Sequence, residues 1–246
     1  MITIEELKDV KEKSKTNLYY EEKEYLQYIF LNAISRYSEN FVFKGGTCLR
    51  ICYGLERASE DLDFSTNLPI QKTKEIVNKC LRYFELLNIR YKIHSEKEFL
   101  GNFRMEIRFE GPLFTGKPAS TNTLKIDFNK RRAKNRIVKV VQKLFSDVPL
   151  FSLIVLDEKE ILTEKIRALV NRAESRDLYD VWVLLSKGVE IDRKLLNEKL
   201  KEEKSNLSDL KFPDKRGYEN DLTGLVNILP SYEQAKKEVL KALIRK

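Results

Sequence analysis

FVFKGGTCLRICYGLERASEDLDF, residues 41–64, decides the fold. Its first three residues form a short apolar strand that runs into Lys44, and Gly45 and Gly46 then make a turn where backbone amides can approach a phosphate. CLRICYG reads as a helix closed by Gly54, and Thr47 stands where it can cap the start of that helix. DLDF returns to strand alternation, with Leu62 and Phe64 on one face and Asp61 and Asp63 on the other. Two carboxylates at i and i+2 aim at one region, which is costly unless a cation lies between them.

A cation that suits such ligands is Mg²⁺, or Mn²⁺ in its place. Phosphoryl and nucleotidyl transfer use two such ions about 4 Å apart, held by aspartates, to activate a hydroxyl and to stabilise the leaving pyrophosphate. A third carboxylate is then wanted on a neighbouring strand. Asp127 fits, because in TLKIDFN (residues 123–129) Leu124, Ile126 and Phe128 make the apolar face while Asp127 and Lys125 alternate out of it. An Asp-x-Asp pair alone is more often an exposed sheet face, and a Gly-Gly-Thr turn alone says still less. Their conjunction in order points to a metal-dependent phosphate site. Neither a Gly-x-x-x-x-Gly-Lys-Ser/Thr loop nor a Gly-x-Gly-x-x-Gly fingerprint occurs.

Composition narrows the chemistry further. The 246 residues carry 46 Lys and Arg against 38 Asp and Glu, a formal charge of +8, which favours a polyanionic partner such as RNA, DNA or a nucleoside triphosphate. With one histidine in the chain, His94, multi-histidine zinc sites and histidine-based hydrolases are disfavoured, and His94 itself reads as structural. Cys48, Cys52 and Cys80 make no disulfide framework and read as small buried hydrophobes. No apolar run approaches the ~20 residues of a membrane span, and MITIEELKDVKEK is too polar for a signal peptide, so a cytoplasmic protein without a membrane partner is expected.

Around the deciding stretch, Thr3 and Glu6 form a capping box for a first helix, and Leu26, Ile29, Phe30, Ala33, Ile34 and Tyr37 repeat at helical spacing for a second. Another helix follows the DLDF strand, with Ile76, Val77, Cys80, Leu81, Phe84 and Leu87 inward. Phe103, Met105, Ile107 and Phe109 alternate as a half-buried strand, IRYKIHSE reads as one more, and FSLIVLD (residues 151–157) closes the β-containing part. From Glu158 the pattern is helical, and the last helix is announced by Pro230 and capped by Ser231 with Gln234 three residues on. The polar stretch EEKSNLSDLKFPDKRGYEND reads as a mobile loop. The fold class expected is α/β (α+β): residues 1–157 a mixed-sheet lobe with flanking helices that carries the carboxylates, and residues 158–246 a helical lobe.

Gly46 and Thr47 followed by Asp61 and Asp63 resemble the signature of the polymerase-beta-like nucleotidyltransferases. More narrowly, FKGGTCLRICYGLERASEDLDF, LKIDF and EKEILTEKIRALVNRAESRDLYDVWVLL together resemble the AbiEii toxin family of nucleotidyltransferases, over residues 43–185. Arg57, Ser59, Asp61 and Asp63 match that family's Arg-x-Ser-x-Asp-x-Asp element; Lys165 and RDLYD match its later lysine and its Arg-Asp-x-x-Asp motif. The resemblance implies that Lys165 holds the triphosphate and that Asp180 or Asp177 supplies an acidic group essential to transfer. It places Gly45, Gly46, Thr47, Arg57, Arg176 and Asp177 with Lys165 among the nucleotide-binding residues. It also implies an RNA acceptor such as the 3′ end of tRNA, and a toxin neutralised by an antitoxin. On one continuous helix, Arg172, Arg176 and Asp180 would lie seven, eleven and fifteen residues after Lys165 and share its face, while Asp177 would not. A break near AESRD, with Ser175 as a new N-cap, would remove that ranking. Read without the family, RDLYD is an Arg176–Asp180 salt bridge on a helix face, and Trp182 is core.

The expected enzyme transfers NMP from an NTP to an acceptor hydroxyl deprotonated by Asp127 or Asp180, with Asp61, Asp63 and Asp127 as metal ligands. KIDFNKRRAKNRIVKVVQK carries eight basic residues against one acidic. Its Lys130, Arg131, Arg132, Lys134 and Arg136 are either a solvated hairpin or loop, or a track for RNA phosphates. Two other readings compete: transfer to a protein or small molecule, and a non-catalytic nucleic-acid binder. Three converging carboxylates beside a phosphate turn are unneeded in a binder.

Overall fold

The computed structural model describes residues 1–14 and 16–244. The chain divides into two compact units, one of Met1–Gly54 with Ala58–Leu156, the other of Leu55–Arg57 with Asp157–Lys246. The fold is a mixed α/β one, with a seven-stranded sheet in the first unit.

In the first unit α1 (Ile4–Ser14) begins with Thr3 Oγ accepting from the Glu6 amide at 3.1 Å, while the Glu6 carboxylate accepts from the Ser146 amide and hydroxyl, each at 2.8 Å, in place of the returning half of the expected box. α2 (Leu18–Ile34) buries Leu26, Ile29, Phe30, Ala33 and Ile34; the expected helix ends there, and Tyr37 falls in a 3-10 turn. The strands are β1 (Val42–Lys44), β2 (Asp61–Ser65), β3 (Arg90–Phe99), β4 (Asn102–Glu110), β5 (Asn122–Asn129), β6 (Arg136–Val141) and β7 (Phe151–Leu156). They lie in the order β3-β4-β5-β2-β1-β7-β6, parallel at β2/β5 and β1/β7 and antiparallel elsewhere. The later part of the basic run is edge strand β6, antiparallel to β7, so the hairpin side of that expectation is the one realised there.

Helices α3 (Gly45–Tyr53) and α4 (Ile70–Leu86) complete the unit; Gly54 closes α3 in the left-handed region, φ 67°. Ile76, Val77, Cys80, Leu81 and Phe84 of α4 are buried. Burial pushes the Cys80 thiol up to about 12, as a small hydrophobe requires. His94 lies exposed on β3 with its Nε2 3.3 Å from Arg108 Nη2.

One aromatic row sets the register of the central strands. Phe43 of β1 partners Phe64 of β2, Phe64 partners Phe128 of β5, and Phe128 partners Phe103 of β4. Phe64 and Phe128 stack with centroids 5.3 Å apart, and Phe103 stacks on Phe128 at 6.1 Å. All four rings are buried. A one-residue slip of any strand would turn its ring to the other face, so this row also dictates what lies opposite the core.

The second unit is helical: α5 (Glu158–Arg172), α6 (Ser175–Ser186), α7 (Arg193–Glu202), α8 (Lys215–Leu222) and α9 (Tyr232–Ile244). Asp157 caps α5 and Asp192 caps α7, each side chain accepting from an amide of the first turn. Ser231 Oγ accepts from the Gln234 amide at 3.2 Å ahead of α9. The stretch expected as a mobile loop contains α8, because Tyr218 inside it is fully buried against Tyr232. Trp182 is half-buried, its indole donating to Glu238 at 2.6 Å, so it is not core. Among the described residues no helix is long and apolar enough to cross a membrane.

Candidate active site

One residue along from the aromatic row, the same strands carry charge on the opposite face. Lys44 of β1 partners Asp63 of β2, Asp63 partners Asp127 of β5, and Asp127 partners Arg104 of β4. Asp61 lies two residues before Asp63 on that face and partners Lys125. The sheet thus puts Asp61, Asp63 and Asp127 on one face, because their apolar neighbours Leu62, Phe64, Ile126 and Phe128 are all buried on the other side.

Cations flank this row at both ends. Arg104 Nε donates to Asp127 Oδ1 at 2.7 Å. That hydrogen bond, together with the charges of Asp127, Asp61 and Asp63, holds the guanidinium above its ordinary pKa. Lys44, 4% exposed, sits at the other end. Neither residue stands out in the sequence: Arg104 is one of several polar residues alternating along β4, and Lys44 merely precedes the glycines. Only strand register reveals them.

The turn packs directly on the carboxylates. Gly45 has φ +81°, and a Cβ there would collide with Asp63 Oδ2 and lie 3.0 Å from its Cγ. Both the left-handed backbone and the close approach require glycine. Thr47 does not cap α3 as expected. Its hydroxyl donates to the Asp61 carbonyl at 2.5 Å and hydrogen-bonds the Ser59 hydroxyl at 2.9 Å, which ties the helix start to β2. Gly45→Ala is expected to lower stability by about 1–2 kcal/mol from the left-handed strain alone. A thermal melt should show Tm down by roughly 2–8 °C; an unchanged Tm would mean the turn reshapes freely.

Although Asp61 reaches solvent, burial pushes its carboxyl above the usual range; Lys125 opposes that and Asp127 adds to it. Among the described residues no three His, Cys, Asp or Glu side chains form a ready metal cluster. Register and partner explain this, since Asp61 is one step off the row and Asp127 is held by Arg104. The donor set still fits a hard divalent cation: three carboxylates share one face, and the crowding of Asp61 by Asp127 is relieved by positive charge.

The other expected residues lie in the helical unit. α5 ends at Arg172, Ala173 takes a left-handed φ of 52°, and α6 begins at Ser175 with Glu174 as N-cap. The continuous helix therefore does not exist, and the break brings Asp177 to Lys165. Lys165 Nζ donates to Asp180 Oδ2 at 2.8 Å and to Asp177 Oδ1 at 3.0 Å. Arg57 pairs with both Asp180 oxygens at 2.9 Å, and Arg172 Nε donates to Asp177 Oδ2 at 2.7 Å. Ser175 does not cap; its hydroxyl meets Asp221 at 2.7 Å. Burial alone would raise the Asp180 carboxyl, but Arg57 and Lys165 outweigh it and hold it below the ordinary value. Burial would lower Lys165, yet Asp180 and Asp177 hold it above its own. Arg176 is half-buried on α6.

The model of the family described as nucleotidyl transferase AbiEii toxin, type IV toxin–antitoxin system, matches residues 29–242. The chain belongs to this family. Membership in the AbiEii family makes it a nucleotidyltransferase of the toxin type, with a nucleoside triphosphate as substrate and an antitoxin as the opposing partner. Its structure is similar to MenT4, a nucleotidyltransferase toxin from Mycobacterium tuberculosis H37Rv, with TM-score 0.70 and 19% identity over 97% of this chain and 88% of that one. It is also similar to JHP933 from Helicobacter pylori, with TM-score 0.64 and 22% identity over 93% and 92%. No curated protein matches the chain.

Proposed function

We propose that this AbiEii-family chain transfers a nucleoside monophosphate from an NTP to a hydroxyl of RNA, with the 3′ end of tRNA as acceptor, in a divalent-cation-dependent reaction. The observation that supports it most is the single-faced row Asp63–Asp127 with Asp61 beside it and the Gly45 backbone against Asp63. Asp61, Asp63 and Asp127 would hold Mg²⁺ or Mn²⁺, which supplies Lewis-acid stabilisation of the phosphate oxygens.

The chain's own residues then have separable tasks. Gly45, Gly46 and Thr47 offer the start of α3 to the phosphates, where backbone amides and the helix dipole favour anions. Asp127 takes the proton of the acceptor hydroxyl, whose oxygen bonds to the α-phosphorus as the bond to the pyrophosphate oxygen breaks and pyrophosphate departs. Asp180 suits that proton poorly, since a buried carboxylate bonded to Arg57 and Lys165 and held acidic is a weak base. It serves to position Lys165, the candidate cation for a nucleotide phosphate, with Arg57 beside it. Asp177 and Arg172 restrain the same ammonium.

Incubation of the protein with Mg²⁺, each α-³²P-labelled NTP in turn and total tRNA tests the proposal. Label on tRNA is expected from one base or few. Label on protein alone, or turnover of no nucleotide with salt-sensitive RNA binding, would move the function to a protein acceptor or to binding. Arg104→Gln removes a cation that competes for Asp127, so Mn²⁺ affinity measured by titration should rise several-fold with Tm little changed, Arg104 being 43% exposed. Equal or weaker Mn²⁺ binding would argue that Asp127 is not a ligand.

A further inference from the structure

The first unit contains a polar concavity, a cavity of about 490 Å³. That volume suits a ligand of nucleotide size. Its floor includes Val42 and Ser65, which are register partners two residues along from Lys44 and Asp63. Two residues of strand span roughly 6.6 Å, so the cavity begins one ribose-length from the carboxylate row.

Its charge is one-sided. Lys130, Arg131, Arg132 and Arg136 line it against a single carboxylate, Glu39. The loop that delivers the cations is pinned where it leaves β5: the Lys130 amide donates to Asn102 Oδ1 at 3.3 Å and the Arg131 amide to Asn129 Oδ1 at 3.2 Å. The facing rim is equally tied. The Thr66 amide donates to the Asn129 carbonyl at 2.9 Å, and the Thr66 hydroxyl to the Asn40 carbonyl at 2.8 Å. A cation-lined cavity of this size, with its backbone tied on both sides, suits a phosphodiester.

Position along the strands assigns it to one of the two substrates. β1 runs from Val42 through Lys44 into the Gly45–Thr47 turn, so turn, carboxylates and cavity succeed one another along the strand axis. In-line displacement places the entering hydroxyl opposite the leaving pyrophosphate. With the triphosphate at the glycine turn, the entering strand arrives from the cavity side.

We infer that this cavity binds the phosphodiester 5′ to the acceptor's terminal ribose, so that an RNA strand enters along Lys130–Arg136 and presents its 3′ hydroxyl to the carboxylates. The inference rests on the transfer to RNA proposed above. Each phosphate contact on a single strand contributes about 0.7 to the slope of log affinity against log salt. Binding of a short single-stranded RNA, without NTP or metal and followed by fluorescence anisotropy from about 50 to 200 mM salt, is the test. Replacing Arg131, Arg132 and Arg136 together by Ala should lower the slope by at least about 0.7, the share of the one phosphodiester in the cavity, and the same three positions as Lys should restore most of it. Glu39→Gln should tighten binding several-fold.

An Ala variant with wild-type slope and affinity, or Glu39→Gln without effect, overturns the cavity assignment even if wild-type protein labels tRNA. A slope that falls as expected in a protein that labels no RNA supports the cavity and overturns the acceptor reading instead. No RNA binding by the wild-type protein overturns the cavity assignment outright.

Discussion

Asp63→Asn lowers kcat for nucleotidyl transfer by at least about 10³-fold and leaves the fold intact. Asp63 stands at the centre of the charged row, between Lys44 and Asp127 in register and with the Gly45 backbone packed on its carboxylate. Asn keeps the shape but removes the charge that a divalent cation needs, so every electrostatic gain available to the transition state at this point is lost. Stability should change modestly, because the substitution removes a like charge from beside Asp127 and an opposite one from beside buried Lys44 while the aromatic row behind it is untouched. The expected pair of results is activity lost and Tm within a few degrees of wild type, roughly 1 kcal/mol. Full activity in the variant would sink the assignment of Asp63 as a metal ligand. Lost activity with a collapsed Tm would recast Asp63 as structural.

Asp180→Asn acts in the opposite sense, on stability first. Asp180 is fully buried and joins Arg57 to Lys165. Without its charge buried Arg57 loses the carboxylate it pairs with on both oxygens and Lys165 is left with Asp177, a broken buried pair that costs about 3–5 kcal/mol. For a chain of this size that is a fall in Tm of roughly 6–20 °C. The pH dependence separates this from a surface effect. The Asp180 carboxyl is depressed in the folded state, so its contribution is complete above the ordinary Asp value of about 4 and is lost as pH falls through the depressed value. Lys165 is held above its ordinary value, so its share is complete below about 10.4 and is lost only as pH rises through the raised value. The gap between wild type and variant in urea unfolding should therefore be constant across neutral pH and narrow below about pH 4. A stable variant that has lost transfer would return Asp180 to the chemistry.

The two effects belong to different units and should add when combined, since the residues share no partner among the described contacts. The double variant should show the Tm of Asp180→Asn and the activity of Asp63→Asn.

Much of this molecule is decided by local rules. Alternation in DLDF and LKIDF puts Asp61, Asp63 and Asp127 opposite their apolar neighbours whatever the strand order, and Gly54 and Ser231 end or begin helices by backbone chemistry that needs no tertiary partner. These features depend on the few residues next to each other, so the chain itself states them. Strand register is different. Lys44 and Arg104 join the site because four phenylalanines pack in a row across four strands, a packing outcome of residues up to 85 positions apart, from Phe43 to Phe128. The helix break at Ala173 likewise reversed the expectation for Asp177: helical periodicity assumes an uninterrupted axis, and one residue in the left-handed region redirected the next helix. Sequence alone determined which residues carry the charge and on which face of a strand they stand. Which charges meet was decided only by long-range packing, because a carboxylate finds its partner through the burial of its apolar neighbours and not through its own position in the chain.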